Sequence, residues 1–323
     1  MTYPENSVLV VGHASASGDL PDSITELCGA ASLIGTPVVL LICPSEINET
    51  TTQDLAQAGA EHVAVAVQDY SLLGSSIDAL EKAFSEFSPV ATVCSADTEG
   101  SDLAGRAAVR LHRALLSDAI GIAKDDEGII AYHSVLGGSF QVTSAATFKS
   151  PVITLRPGCV EHRAAPGAGN IINLAVTNST PTSTIHETTP IERSAHRPAL
   201  RSAKTVVAGG RAFDSKESFQ IVEDLADAFG GSVGASRAAV DAGCADRGSQ
   251  VGQAGATIQP ELYFALGISG APHHITGMQS SKHIIAVNND EEAPIFDIAD
   301  FGVVGDVYQV VPELTSLLAQ RKG

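Results

Sequence analysis

A chain of 323 residues is too long for one ordinary hydrophobic core and implies two domains. With 44% hydrophobic and 17% charged residues the composition is globular, and the absence of Trp argues against aromatic platforms for single-stranded nucleic acid. A formal net charge of −18 repels a phosphate backbone, so an anionic ligand needs local positive potential from helix N-termini and well-placed Arg residues.

The N-terminus, MTYPENSVLVVGHAS, has no basic stretch leading into a long apolar one, and no apolar run approaches a membrane span. The expectation is a soluble cytoplasmic protein. Cys28, Cys43, Cys94, Cys159 and Cys244 are scattered and odd in number, which fits reduced and mostly buried thiols. The β-branched runs Ser7–Val11, Pro37–Cys43, His62–Val67 and Val90–Cys94 are expected strands. Helical patterns lie between them, at Ser76–Phe87 and then at Ser101–Leu116. In the latter Leu103, Ala107, Leu111 and Leu115 share one face and Arg106, Arg110 and Arg113 another. From Gly128 to Leu155 the pattern changes to β runs with Gly137-Gly138 as a turn, which implies an antiparallel addition. Pro, Ser and Thr then accumulate. Residues 1–175 are read as an N-terminal α/β domain, 176–203 as an extended linker or arm, and 204–323 as a second domain.

The second domain opens with a strand at Thr205–Ala208. A helix follows with Asp214 as N-cap, Glu217 three residues on, an apolar face of Phe219, Val222, Leu225 and Phe229, and a stop at Gly230-Gly231. Short strands recur at 232–235, 262–268 and 283–287, the grammar of an open, doubly wound parallel sheet. Four small-residue loops follow these strands: Gly209-Gly210-Arg211, Gly234-Ala235-Ser236-Arg237, Val251-Gly252-Gln253-Ala254-Gly255 and Gly267-Ile268-Ser269-Gly270-Ala271. Any one of them is explained by a tight turn. Four in one domain, two carrying Arg, point to a crevice where backbone N–H groups approach phosphate.

Other chemistries are disfavoured. GxGxxG and GxxxxGK[ST] are both absent. Gly267-Ile268-Ser269-Gly270-Ala271 has the outline of a nucleophile elbow, but after Ser269 the last His, His283, precedes the first acid, Asp290, the reverse of the hydrolase order. His273-His274 lack metal-ligand spacing.

The stretch from Val206-Val207-Ala208-Gly209-Gly210-Arg211 to Val310-Val311-Pro312-Glu313 resembles the FAD domain of the electron-transfer flavoprotein α subunit. The resemblance is carried by VGASRAAVDAG (233–243), VGQAG (251–255), PELYFALGISGA (260–271), HITGMQSSK (274–282) and APIFDIADFGVVGD (293–306). More faintly, TEGSDLAGRAAVRLHRALLSDAIGI (98–122) and SPVITLRPG (150–158) are similar to that family's N-terminal domain. The resemblance implies a Rossmann-like first domain and an FAD-binding second domain. It places flavin contacts at Arg211, Ser236, Arg237, Val251, Gly252, Gln253, Ala254, Ser269, Gly270, Ala271, Pro272, His273, His274, Asn288, Asp306 and Val307. Ser236 and Ser269 are implied at pyrophosphate and ribityl oxygens, Arg237 against the isoalloxazine, His274 near its pyrimidine carbonyl, and Asn288 and Asp306 at the adenosine half. Ala254 departs from the family's commoner Thr or Ser, and Pro272-His273 from its Ile-Gln. The implied activity is electron carriage without catalysis, in a heterodimer with a β subunit that carries AMP or a second FAD. The implied donors are acyl-CoA dehydrogenases and related flavoenzymes, and the acceptor a quinone reductase. The alternative is an electron-bifurcating complex that oxidises NADH; a nucleotide-binding module without electron transfer is the other rival.

Overall fold

The structure is a computed structural model that describes residues 3–15, 17–68, 74–136, 138–181, 183, 186 and 197–322, the last two without their side chains. It divides into two compact units, residues 1–134 with 141–190, and residues 135–140 with 191–323.

In the first unit β1 (Ser7–His13), α1 (Ile24–Ser32), β2 (Thr36–Cys43), α2 (Glu49–Gln57), β3 (His62–Val67), α3 (Gly74–Phe87), β4 (Ala91–Ser95) and α4 (Thr98–Leu111) alternate, as expected. They are followed by β5 (Leu115–Lys124), β6 (Ile129–Val135), β7 (Phe140–Ala145), β8 (Val152–Leu155) and β9 (Asn170–Asn173). The strand order is β7-β6-β5-β8-β4-β1-β2-β3-β9. The central strands β1–β4 and β8 are near-continuously apolar because both faces are covered. Val8 and Val10 pack under α1 and α2, while Leu9 and Val11 pack under α3 and α4.

Two expectations change here. The helix read as Ser101–Leu116 spans Thr98–Leu111. Asp97 caps its start by accepting the Gly100 N–H at 2.8 Å, and His112 ends it in the left-handed region, φ 51°. Leu115 and Leu116 instead pair in parallel with Val152 and Ile153. Their backbone groups serve a sheet, which the apolar period alone does not reveal. The antiparallel addition is present as β5–β6, but β8 belongs to the parallel part, between β4 and β5. Gly137 of the expected turn lies outside the described residues.

The second unit contains β10 (Thr205–Gly209), α5 (Lys216–Phe229), β11 (Ser232–Ala235), α6 (Arg237–Asp241), β12 (Leu262–Leu266), α7 (Pro272–Ile275), β13 (His283–Asn288), β14 (Phe301–Val304) and α8 (Val307–Lys322). All its pairings are parallel, in the order β11-β10-β12-β13-β14. The N-cap of α5 is Ser215, one residue later than read, in a capping box with Ser218 rather than with Glu217. Gly230 closes that helix at φ 61°. One face of the sheet packs on α5 and α8 through Phe219, Val222, Leu225 and Val311. The other is covered by loop residues, among them Val251, Ile258, Ile268, Met278 and Ile295, rather than by a second layer of long helices.

Of the arm read as 176–203, residues 182, 184, 185 and 187–196 lie outside the described residues. Its beginning is fixed to α3, where Asp78 accepts the N–H groups of Ser179 at 2.6 Å and Thr180 at 2.9 Å. Its end is fixed to α5, where Arg197 pairs with Glu223 and Asp227.

Candidate functional site

The strand order of the second unit reverses between β10 and β12, since β10 leads to β11 on one side and β12 begins the run on the other. Ligands of open parallel sheets bind outside the carboxyl ends of the strands at such a point. The loops after β10 and β12 meet there. The Gly210 N–H donates to the Leu266 carbonyl at 2.8 Å, and a Cβ at Gly210 would stand 2.1 Å from the Gly267 carbonyl oxygen. No other residue type fits.

The loop 267–271 carries the most suggestive donor set. The N–H groups of Ile268, Ser269, Gly270 and Ala271 find no acceptor among the described residues. Consecutive unpaired amides on a glycine-containing turn form a concavity for an anion. Gly270 holds φ 85° and lies against the backbone of Ile295, where a Cβ would come within 2.2 Å of Ile295 N. The Asn288 amide, at the end of β13, donates to the Ile268 carbonyl at 3.0 Å and so braces this loop. Its side-chain oxygen accepts the Asp290 N–H. The Asn288 side chain is thus engaged within the chain.

The other expected residues fall along the same edge. Ser236 follows β11, caps α6 through the Ala239 N–H, and donates its own N–H to the Gly209 carbonyl. Arg237 follows it, 77% exposed, with its guanidinium along the helix against Asp241 at 3.4 Å. Arg211 is exposed and has no ion pair among the described residues. Val251 and Val307 are buried in the core. The Gly252–Ala254 loop is held to α7: the Gln253 N–H donates to the His273 carbonyl at 2.7 Å, and Gln253 Oε1 meets His273 Nδ1 at 2.9 Å. Ala254 is exposed, its carbonyl taken by the Gln250 amide. Ala271 caps α7 and Pro272 opens it. Asp306 accepts the Tyr308 N–H, at the start of α8.

His274 differs from all of these. It is 6% exposed, and its Nε2 lies 2.7 Å from the hydroxyl of Tyr263, itself fully buried on β12. Burial pushes its pKa down to about 4, against a smaller opposite effect of the Val251 backbone, so the ring is neutral at pH 7. It offers a dipole, not the positive charge that would directly support an anion. Its Nδ1 is buried and makes no well-formed hydrogen bond, the Val251 backbone acting on the ring only as a weak acceptor. Tyr263 was not among the sequence-derived candidates, because an apolar strand run gives no sign that its one hydroxyl meets a His 11 residues later.

Ser269 has no base. Both neighbouring imidazoles are engaged elsewhere, His273 with Gln253 and His274 with Tyr263, so the elbow outline carries no hydrolase chemistry. No cluster of three potential metal ligands occurs among the described residues. Cys28, Cys43, Cys94 and Cys244 are buried thiols outside any disulfide. No described helix is long and apolar enough to cross a membrane. A cleft of about 40 Å³ in the first unit, between the ends of β1 and β4, is far too small for a dinucleotide.

Comparison with known proteins places the two units separately. Residues 8–179 match the family model described as electron transfer flavoprotein domain, and residues 199–279 the one described as electron transfer flavoprotein FAD-binding domain. The chain is 41% identical over 320 residues to electron transfer flavoprotein subunit alpha of Mycobacterium leprae, covering 98% of this chain and 99% of that protein. It is 36% identical over 316 residues to the protein of the same name in Paracoccus denitrificans, covering 97% and 100%. It is also 36% identical over 319 residues to protein FixB of Clostridium saccharobutylicum, covering 94% and 93%.

Proposed function

The chain belongs to the electron transfer flavoprotein alpha-subunit family, and on that premise we propose that it holds FAD in the crevice of its second unit and carries electrons without catalysing a reaction of its own. In this reading it pairs with a β subunit, accepts electrons from acyl-CoA dehydrogenases and related flavoenzymes in the cytoplasm, and passes them to a quinone reductase. Residues 204–323 are the FAD-binding domain, 1–175 a Rossmann-like domain that supports the assembly, and 176–203 the arm between them.

The observation that carries the reading is the row of unpaired amides at Ile268–Ala271, set where the strand order reverses. The residues present fit the group. Four N–H groups, with the hydroxyls of Ser236 and Ser269, suit a pyrophosphate. Arg211 and Arg237 are exposed, Arg237 held only by its surface pair with Asp241, and they supply the positive potential that a chain of net charge −18 otherwise lacks. Asp306 and the Asn288 backbone would hold the adenosine half. Gln253 and His273 brace the loop that would cover the ring system. Bound FAD supplies reversible electron chemistry; the protein orients it, tunes it and limits its exposure.

The test is the visible absorption spectrum of the chain co-purified with its partner subunit. A flavin spectrum that bleaches anaerobically with an acyl-CoA dehydrogenase and its substrate is expected. A flavin-free complex that takes up no added FAD would overturn the proposal.

A further inference from the structure

Tyr263 and His274 form a closed pair whose hydrogens can be counted. The Tyr263 hydroxyl is fully buried and meets only His274 Nε2 among the described residues. His274 Nδ1 makes no well-formed hydrogen bond, although the Val251 backbone acts on the ring as an acceptor. If Nε2 carried the proton, it would donate to the Tyr263 oxygen. The hydroxyl hydrogen would then have no acceptor, and Nδ1 would be a bare buried acceptor facing no donor. If instead the hydroxyl donates to Nε2, the one unmatched group is Nδ1–H. Each buried polar group left unpaired is costly, so the second arrangement is favoured. It also agrees with the surroundings, since the Val251 backbone acts on the ring in the sense that favours its protons. The loop 251–255 lies directly over this residue: a Cβ at Gly252 would stand 3.4 Å from His274 Cα.

We infer that Tyr263 is a positioning residue that works through His274: its hydroxyl fixes the imidazole as the neutral Nδ1–H tautomer, so that one uncharged donor faces the 251–255 side of the crevice. The inference rests on the FAD reading for its consequence, because the donor orders a loop proposed to contact that cofactor. Tyr263 sets which nitrogen of its neighbour can donate.

The experiment uses the heterodimer labelled with ¹⁵N-histidine, as wild type, Tyr263→Phe, His274→Asn, His274→Gln and the double variant Tyr263→Phe/His274→Asn. In wild type at pH 7 the ¹⁵N spectrum should show His274 with Nδ1 protonated and Nε2 bare. Tyr263→Phe keeps the ring and its packing, should lose that single-tautomer signature, and should weaken FAD retention roughly two- to tenfold, the worth of one net hydrogen bond. Asn places an amide nitrogen where Nδ1 stands and needs no help from Tyr263, so His274→Asn should retain FAD better than His274→Gln. Adding Tyr263→Phe to His274→Asn should cost nothing more. A packing role would instead give losses that add. The inference is overturned by an Nε2–H or cationic His274 in wild type, by an unchanged tautomer in Tyr263→Phe, or by additive losses in the double variant. A wild-type heterodimer without FAD defeats the cofactor reading alone, and the tautomer spectrum still decides the Tyr263–His274 pair.

Discussion

At the scale of single residues the crevice separates groups that hold the fold from groups free to meet a ligand. Arg237 illustrates the second kind. Its pairing with Asp241 is exposed and local to one helix turn, and such pairs contribute only about 0.3–0.5 kcal/mol. Arg237→Ala should therefore leave the unfolding temperature nearly unchanged while lowering the midpoint potential of bound FAD, because a mobile positive charge is lost. Spectroelectrochemical titration beside a thermal melt checks both halves, and an unchanged potential would place the guanidinium elsewhere. His274 illustrates the first kind. Its pKa falls from 6.5 to about 4 on folding, so between those values the unfolded chain binds more protons than the folded one. Stability contributed by the neutral ring is complete above pH 6.5 and is lost as pH falls toward 4. The size is about 3 kcal/mol. Urea midpoints across that range should rise with pH in wild type and rise distinctly less in His274→Asn.

At the scale of elements, the Asp78 node shows how a helix fixes a chain segment that has no secondary structure of its own. Burial alone would raise the Asp78 pKa, but hydrogen bonds from Thr180 and Ser179, with one from Arg110, hold it at about 2. The stabilisation is present above the ordinary carboxylate value and lost only as pH falls below it toward 2. Asp78→Ala leaves the Ser179 and Thr180 amides and the Thr180 hydroxyl without their acceptor, while Arg110 keeps Glu81, and should cost about 2–3 kcal/mol. Amide exchange at Ser179 and Thr180 should accelerate in this variant, while that of the β1–β2 core should keep its order; equal acceleration everywhere would mean that the node serves global stability only. This anchoring was not legible in the sequence, where 176–180 read as linker because Pro, Ser and Thr report the lack of regular structure and not the presence of a partner 100 residues away. The alternating strands and helices were legible, since runs such as Pro37–Cys43 are apolar on both faces and leave one interpretation. The end of α4 was not: Leu111 and Leu115 keep helical spacing, and only the left-handed turn at His112 separates them. The small-residue loops could be located from the sequence, but their division of labour could not. Asn288 as a brace and Tyr263 as a tautomer lock depend on contacts between distant strands.

At the scale of the whole molecule, the two sheets differ in how their edges are treated. Among the described residues β14 has a neighbour only in β13, and its Phe301 and Val304 are 62% and 60% exposed. An apolar open edge is a template for pairing. The net charge of −18 opposes indiscriminate association but does not cover that edge. Expressed without its partner subunit, the chain should self-associate or lose FAD; size-exclusion chromatography showing a monodisperse, fully flavinylated monomer would refute this. The first sheet has a different consequence, which lies in biosynthesis. β8 stands between β4 and β5 although β5, β6 and β7 precede it in the chain. During translation the hairpin strands leave the ribosome before the one strand that joins them to the centre. The nascent sheet must wait with β4 as a bare edge until Val152–Leu155 emerges, and only then can the gap be filled from within. Such late, long-range insertion makes for slow closure and an interval of exposure to aggregation. A stalled chain ending near residue 150 should therefore be a strong client for chaperones, whereas one ending beyond residue 180 should be protease-resistant.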